Sequence, residues 1–210
     1  MSHAFARIAF TPAVKAAQSR DGSRNSYARA FERNDGTQNN RLGAAETEFI
    51  AAQRSFYLAT VSETGWPYVQ HRGGPVGFLK VLDANTLGFA DFGGNRQLVS
   101  IGNLAGNDRV ALILVDYGRR ARLKILGRLS VREVTLDDPQ LDALVEDSHR
   151  GHVQRVMKIS VEAFDWNCSK HIPERFEAED VRRAIEERDT VIEQLKARIE
   201  QLEHPSVVSE

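Results

Sequence analysis

Apolar residues along this chain change their spacing twice, and the changes divide it into three parts. Through the middle, apolar positions come in short aromatic and β-branched runs separated by turn residues. Ser55–Ser62 and Trp66–Arg72 flank Glu63-Thr64-Gly65, and Val76–Leu82 and Thr86–Phe92 flank Asp83-Ala84-Asn85. Runs of this length joined by tight turns predict antiparallel strands. Val110–Asp116 is nearly all apolar and reads as a central strand. Arg119–Val134 is a longer strand with Gly127 as a bulge, and Val153–Phe164 closes the set.

Helical spacing interrupts these strands at three places. Ala45–Arg54 sets Phe49, Ile50 and Gln53 on one side, and the segment after Gly93-Gly94 sets Leu98, Ile101 and Leu104 on one face. Leu136–His149 has the same spacing, with Asp137-Asp138-Pro139 as its cap. In the final part Val181, Ile185, Ile192, Leu195, Ile199 and Leu202 recur at four- and three-residue steps, interrupted by Arg188. That is close to a heptad seam on a helix of roughly 36 Å. Two uses are open to it, packing on its own barrel or pairing with a second subunit. The expected organisation is an N-terminal arm over 1–43, a β domain over 44–175, an amphipathic helix over 176–204 and a tail over 205–210.

The arm is the least core-like part: Arg7, Lys15, Arg20, Arg24, Arg29, Arg33 and Arg41 outnumber Asp21, Glu32 and Asp35. Asn34–Asn40 has loop composition. Phe5, Ile8, Phe10, Tyr27 and Phe31 nevertheless give the arm apolar groups with which to dock.

Composition narrows the partners. The 210 residues are 41% hydrophobic and 27% charged, with net charge −1, which supports a real core and gives no global field for nucleic acid or an anionic membrane. A small molecule, or a second copy of the chain, is the better default. Cys168 is the only cysteine, so an intrachain disulfide and a thiolate metal cage are both excluded. No apolar run reaches the roughly 20 residues that span a bilayer, and the first ten residues do not read as a signal peptide. The expected location is cytoplasmic.

Three stretches carry candidate chemistry. In Phe89–Gln97 a strand ends, Gly93-Gly94 frees the backbone, and a helix starts with Asn95 and Arg96, followed by Ser100 and Asn103 on the same helical face. Exposed N–H groups at a helix start, joined by a guanidinium, accept a phosphate; equally, Asn95 caps the helix and Arg96 is a solvated charge. In Gln70-His71-Arg72-Gly73-Gly74-Pro75, Gln70 and Arg72 share one strand face and His71 takes the other. Glycines there permit a flat ligand to approach, or the stretch is a polar hairpin edge. The third, Trp166 to Arg175, carries a tryptophan, the lone thiol and the cations Lys170 and Arg175. Gly-x-Ser-x-Gly, Walker A and His-Glu-x-x-His are absent, and the six histidines lack metal-ligand spacing; His149 and His152 flank Gly151 as surface residues.

From about Glu46 to Arg175 the chain resembles the pyridoxamine 5′-phosphate oxidase-like family of FMN-binding split barrels. Two stretches carry the resemblance: Phe92–Gln97 with Ser100 and Asn103, and Asn167-Cys168-x-Lys170-x-Ile172-Pro173-x-Arg175. Ser169 stands where many relatives have proline. The resemblance implies a mainly β fold with flanking helices, a six-stranded antiparallel split β-barrel, here followed by the long C-terminal helix. It also implies a homodimer with FMN at the subunit interface. Carried over, Asn95, Arg96, Gln97 and Ser100, with Asn103 beyond them, hold the phosphate and ribityl chain. His71, Arg72 and Gly73 run along the flavin, Val76 offers backbone contacts, and Trp166 and Lys170 reach the isoalloxazine from the partner chain. A true pyridoxamine phosphate oxidase ends in an arginine-containing tail where this chain continues as a charged helix. The implied activity is therefore an FMN-dependent oxidoreductase acting on a small molecule. A deazaflavin-dependent reductase and a non-catalytic flavin- or haem-binding sensor stand beside it.

Overall fold

The computed structural model describes residues 3–31, 38–135, 137–145, 151–166 and 170–203. The chain divides into two compact units, one of Met1–Asp116 with Ala121–Lys170 and one of Tyr117–Arg120 with His171–Glu210.

The first unit opens with three short helices, α1 (Ala4–Ala9), α2 (Pro12–Asp21) and α3 (Arg24–Phe31), where the sequence pattern suggested only a docking arm. The start and stop of α2 are chemically explicit. The Thr11 hydroxyl accepts from the Val14 N–H, Pro12 occupies the first turn, and Gly22 ends the helix at φ 79°. His3, Phe10, Tyr27 and Phe31 pack edge-on or tilted in one cluster, with centroids 4.8–5.9 Å apart. Ala4 and Ala6 are buried, and the Phe5 ring lies 4.9 Å from Lys124 Nζ.

Helix α4 (Ala44–Ala51) leads into seven strands: β1 (Ser55–Val61), β2 (Pro67–Gly73), β3 (Lys80–Asp83), β4 (Thr86–Phe92), β5 (Arg109–Asp116), β6 (Ala121–Glu133) and β7 (Val153–Trp166). Helix α5 (Val99–Gly106) joins β4 to β5. All pairings are antiparallel, in the order β2-β1-β5-β6-β7-β4-β3. The expected six-stranded barrel is thus a seven-stranded sheet that does not close, because β2 and β3 form two edges that do not pair with each other. Seven strands also follow from the apolar runs, the count of six coming from the resemblance alone, and the run Val76–Leu82 forms the short β3. It starts four residues later than the apolar run predicts, because Gly77 takes φ +70° and a Cβ there would fall 2.9 Å from the Ala51 carbonyl oxygen.

The main core draws buried residues from β1, β4, β5, β6 and β7, with Val81 of β3 packed against it, while β2 contributes none. Phe56 stacks on Phe78 and meets Phe89 edge-on, with centroids 5.5 and 5.3 Å apart, which ties β1 to β4 across the opening. Burying rings of this size contributes about 1.5–3 kcal/mol each. The bulge expected at Gly127 is present: pairing between β6 and β7 shifts register between Leu126 and Gly127.

Of the helix expected over Leu136–His149, the described residues 137–145 form a 3-10 turn at Pro139–Leu141 followed by further turns, and residues 136 and 146–149 lie outside the described residues. Asp138 caps it as the sequence predicts, accepting from the Gln140 N–H at 2.9 Å and from Arg132 at 2.5 Å. These contacts hold the Asp138 carboxyl below the usual carboxylate range. Leu141 and Leu144 pack beneath the turn with Val153 and Val156. His149, and residues 34–37 of the stretch with loop composition, lie outside the described residues.

In the second unit, Arg120 Nε donates to the Ile172 carbonyl at 3.2 Å and the Arg175 guanidinium lies 4.9 Å from the Tyr117 ring. It continues into α6 (Ala178–Glu203), a 26-residue helix with no buried residue. No described helix is long and apolar enough to cross a membrane.

Gly127 offers a direct test of the bulge. A Cβ there would fall 2.5 Å from the Ser160 carbonyl oxygen and 2.9 Å from the Ile159 side chain. Gly127→Ala is expected to lower unfolding stability by about 1–3 kcal/mol, read as a lower urea midpoint. An unchanged midpoint would show that the two strands are not so closely apposed.

Candidate functional site

Antiparallel pairing brings the end of β4 against the start of β7, so that Asp91 sits directly opposite Arg155. Strand β2 lies at the far edge of the sheet, yet Arg72 reaches the same carboxylate. Arg72 Nη1 is 2.5 Å from Asp91 Oδ1, and Arg155 Nη1 is 3.2 Å from Asp91 Oδ2. The Asp91 side chain is 8% exposed and the two arginine side chains 16% and 15%, so this ion cluster is largely removed from water. Asp91 cannot neutralise both guanidiniums. Arg72 Nε is buried without a hydrogen-bond partner, which leaves donor capacity in the cluster for an anion.

A pocket of about 70 Å³ opens at this cluster. It is lined by Tyr68, Gln70 and Arg72 from β2, by Asp91 and Phe92 from β4, by Gly94–Ile101, and by Gln154 and Arg155 from β7. Arg96 and Ser100 therefore face the same space, as their sequence spacing suggests, though by a different route. The helix expected at Asn95 begins at Val99, with Leu98 at its N-cap. Residues 95–98 are a loop in which Arg96 and Leu98 both take left-handed φ, 58° and 54°. The Asn95 side chain accepts from the Gln97 N–H at 3.1 Å, an Asx turn in place of a helix cap. With no side-chain cap on α5, its first N–H groups keep the partial positive charge of a helix start. Left-handed residues in a turn are also the backbone signature of anion-binding concavities.

The other predicted residues divide between this pocket and other surroundings. Gln70 and Arg72 share the pocket face of β2, and the Ser100 hydroxyl donates to Gln70 Oε1 at 2.8 Å. His71 points to the opposite, exposed face and meets the Tyr57 ring edge-on at 5.5 Å. Gly73 is exposed at the end of the same strand. Asn103 is buried away from the pocket lining and donates to Thr60 Oγ1 at 2.9 Å, fastening α5 to β1. Val76 lines a separate cavity of about 160 Å³ with Pro75, Phe78, Lys80 and Leu144. Trp166 donates through Nε1 to Glu46 at 2.7 Å and packs edge-on to Phe49. Lys170 is exposed, and Asn167, Cys168 and Ser169 lie outside the described residues.

Sequence reading missed Asp91 and Arg155, the two residues that complete the cluster. They are 64 positions apart, and only the β4–β7 register brings them together.

Three guanidiniums face one carboxylate here, so the lining carries a formal charge of +2. A phosphate monoester carries about −1.5 to −2 near neutral pH. Charge, glycine-bordered backbone and uncapped helix start all fit the phosphate of a nucleotide-like cofactor. Its ring would need further surface, since pockets that enclose drug-sized ligands run to about 300–1,000 Å³.

An open antiparallel sheet of split-barrel type, with a positively charged pocket at the strand-to-helix turn, defines the class of β protein. Within it, the chain belongs to the pyridoxamine 5′-phosphate oxidase family, whose pattern its residues 42–167 match. Solved structures of similar fold include HupZ of Group A Streptococcus, at 14% identity over 64% of this chain and 100% of that one, TM-score 0.47. An FMN-binding protein from Syntrophomonas wolfei is 12% identical over 71% of this chain and 97% of that one, TM-score 0.44. HutZ, the heme storage protein of Vibrio cholerae, is 17% identical over 60% and 94%, TM-score 0.41. No curated protein matches the chain.

Removing the central carboxylate tests the cluster. Asp91→Ala leaves two nearly buried guanidiniums without their counter-charge and is expected to cost about 3–5 kcal/mol of stability. Added inorganic phosphate should recover part of the loss in urea denaturation. A variant as stable as the parent would mean that the arginines are solvated.

Proposed function

We propose that this chain is the subunit of an FMN-binding flavoprotein, an oxidoreductase that acts on a small molecule. The single observation that supports this reading best is the +2 pocket in which Arg72 and Arg155 pair with Asp91 at the end of β4 and Arg96 lines the same space. In this reading Arg96 and the N–H groups leading into α5 hold the phosphate, with Asn95, Gln97 and Ser100 beside it on the ribityl side. Arg72 is held in place by Asp91 and presents its remaining donors to the cofactor. The Asp91 carboxylate keeps the two flanking guanidiniums from repelling each other before ligand arrives. FMN supplies the hydride- or electron-transferring centre when bound, and the protein supplies position and electrostatics.

A homodimer with the cofactor at the subunit interface completes this proposal. The phosphate pocket is small, and the outward face of β1 and β2 exposes Tyr57, Val69 and His71, with Val69 60% exposed. Apolar and aromatic groups on a paired, regular surface suit contact with a second copy or a flat ring. His71, Gly73, Val76, Trp166 and Lys170 are outside the phosphate pocket of their own chain, so in this reading they serve the ring portion or the partner's cofactor.

Titration of the apoprotein with FMN and with riboflavin separates the phosphate contribution from that of the ring. FMN should bind much more tightly than riboflavin. Arg96→Ala should weaken FMN by about 10- to 100-fold, the loss of a charge-assisted contact, and leave riboflavin nearly unchanged. Equal affinity for the two flavins, or tighter binding of haem or a deazaflavin, would overturn the assignment.

A further inference from the structure

Helix α6 displays an apolar seam that its own chain leaves uncovered. Heptad assignment puts Ala178, Ile185, Ile192 and Ile199 at a, and Val181, Arg188, Leu195 and Leu202 at d. None of these residues is buried, and Leu195, Ile199 and Leu202 are more than half exposed. The b positions, Glu179, Glu186, Glu193 and Glu200, are all acidic, so polarity divides cleanly between the two sides of the helix.

We propose that α6 pairs with α6 of a second copy of this chain as a parallel, in-register, two-stranded coiled coil. Residue choice argues for this occupant over others. β-Branched residues at a with leucine at d favour two parallel strands, and this helix has three isoleucines at a and leucine at its last two d positions. Flanking charges are self-complementary in that alignment. A g residue of one helix meets the next e residue of the other, which sets Glu177 against Arg182 at the N-terminal end and Arg198 against Glu203 at the C-terminal end. The remaining two g–e pairs, Ala184 with Asp189 and Val191 with Lys196, contain no like charges.

Arg188 is the exception in the seam. At d it places two guanidiniums near the pair's axis, each beside its own Asp189 at 2.7 Å. A charged layer costs stability, and such layers also fix register and strand number. The seam therefore gives a moderate, specific association.

Cysteine cross-linking of the full-length chain reads this geometry directly, with Cys168→Ser in every variant so that the introduced thiol is the only one. Leu202→Cys should form a disulfide-linked dimer under mild oxidation at least about tenfold faster than Thr190→Cys, which lies on the outward f position. In an antiparallel pair, two Leu202→Cys residues would sit about 36 Å apart and could not join. Adding Ile192→Asp should abolish the Leu202→Cys cross-link, and adding Arg188→Leu should let it form at about tenfold lower protein concentration. Far-UV circular dichroism confirms that each variant is folded. Absence of the Leu202→Cys cross-link in folded protein would overturn the proposal. So would cross-linking that Ile192→Asp does not disturb, or a mixed Ala178→Cys to Leu202→Cys product, the mark of an antiparallel pair. Recovery of the helix with only a different protein bound would overturn it as well. The readout concerns the helix alone and does not depend on the cofactor.

Discussion

The interaction on which the site depends is the ion cluster that spans the opening of the sheet. Strands β2 and β4 are separated in the sheet by β1, β5, β6 and β7, yet Arg72 and Asp91 meet at 2.5 Å. Main-chain hydrogen bonds do not close the sheet there, so side chains do: this ion pair on one level, and Phe56 against Phe89 and Phe78 on another. An ion pair this far removed from water is a costly way to close a gap, because two charges lose their hydration. Such an arrangement makes physical sense where the surplus positive charge has a second use. Arg155 and Arg96 provide that surplus, and the uncapped start of α5 adds to it. Closing the fold and preparing an anion site are in this view one piece of chemistry.

Family membership and local geometry bear on different parts of the account. The match over residues 42–167 places the chain among pyridoxamine 5′-phosphate oxidase-type split barrels and says where the β domain lies. The charges in the pocket support the proposal of an anionic group there. Neither specifies the reacting small molecule. Helix α6, 26 residues long, lies beyond the matched span.

Features governed by local chemistry were legible in the sequence. The β1–β2 and β3–β4 hairpins follow from their turn residues, the Gly127 bulge from a glycine inside a long apolar strand, and the Asp138 cap from its position before a proline. Helix α2 also had a readable signature, Thr11-Pro12 at its start and Gly22 at its end, but its polar face pattern masked it. What periodicity could not supply was non-local. Asp91 and Arg155 become neighbours only through strand order, and Asn103, spaced to share a face with Arg96, is turned to Thr60 once the helix starts at Val99. The same late start changes Asn95 from a cap to a turn residue. The start of β3 was misplaced by four residues because Gly77 turns the backbone inside the apolar run that contains it.

The central claim is that the arginine cluster exists to hold the phosphate of a flavin. Its most direct test is the absorption spectrum of the purified protein, together with the mass of whatever is released on denaturation. The account predicts a yellow protein that releases FMN. A protein that is colourless and remains so with added FMN, or one that releases haem or a deazaflavin, would contradict it.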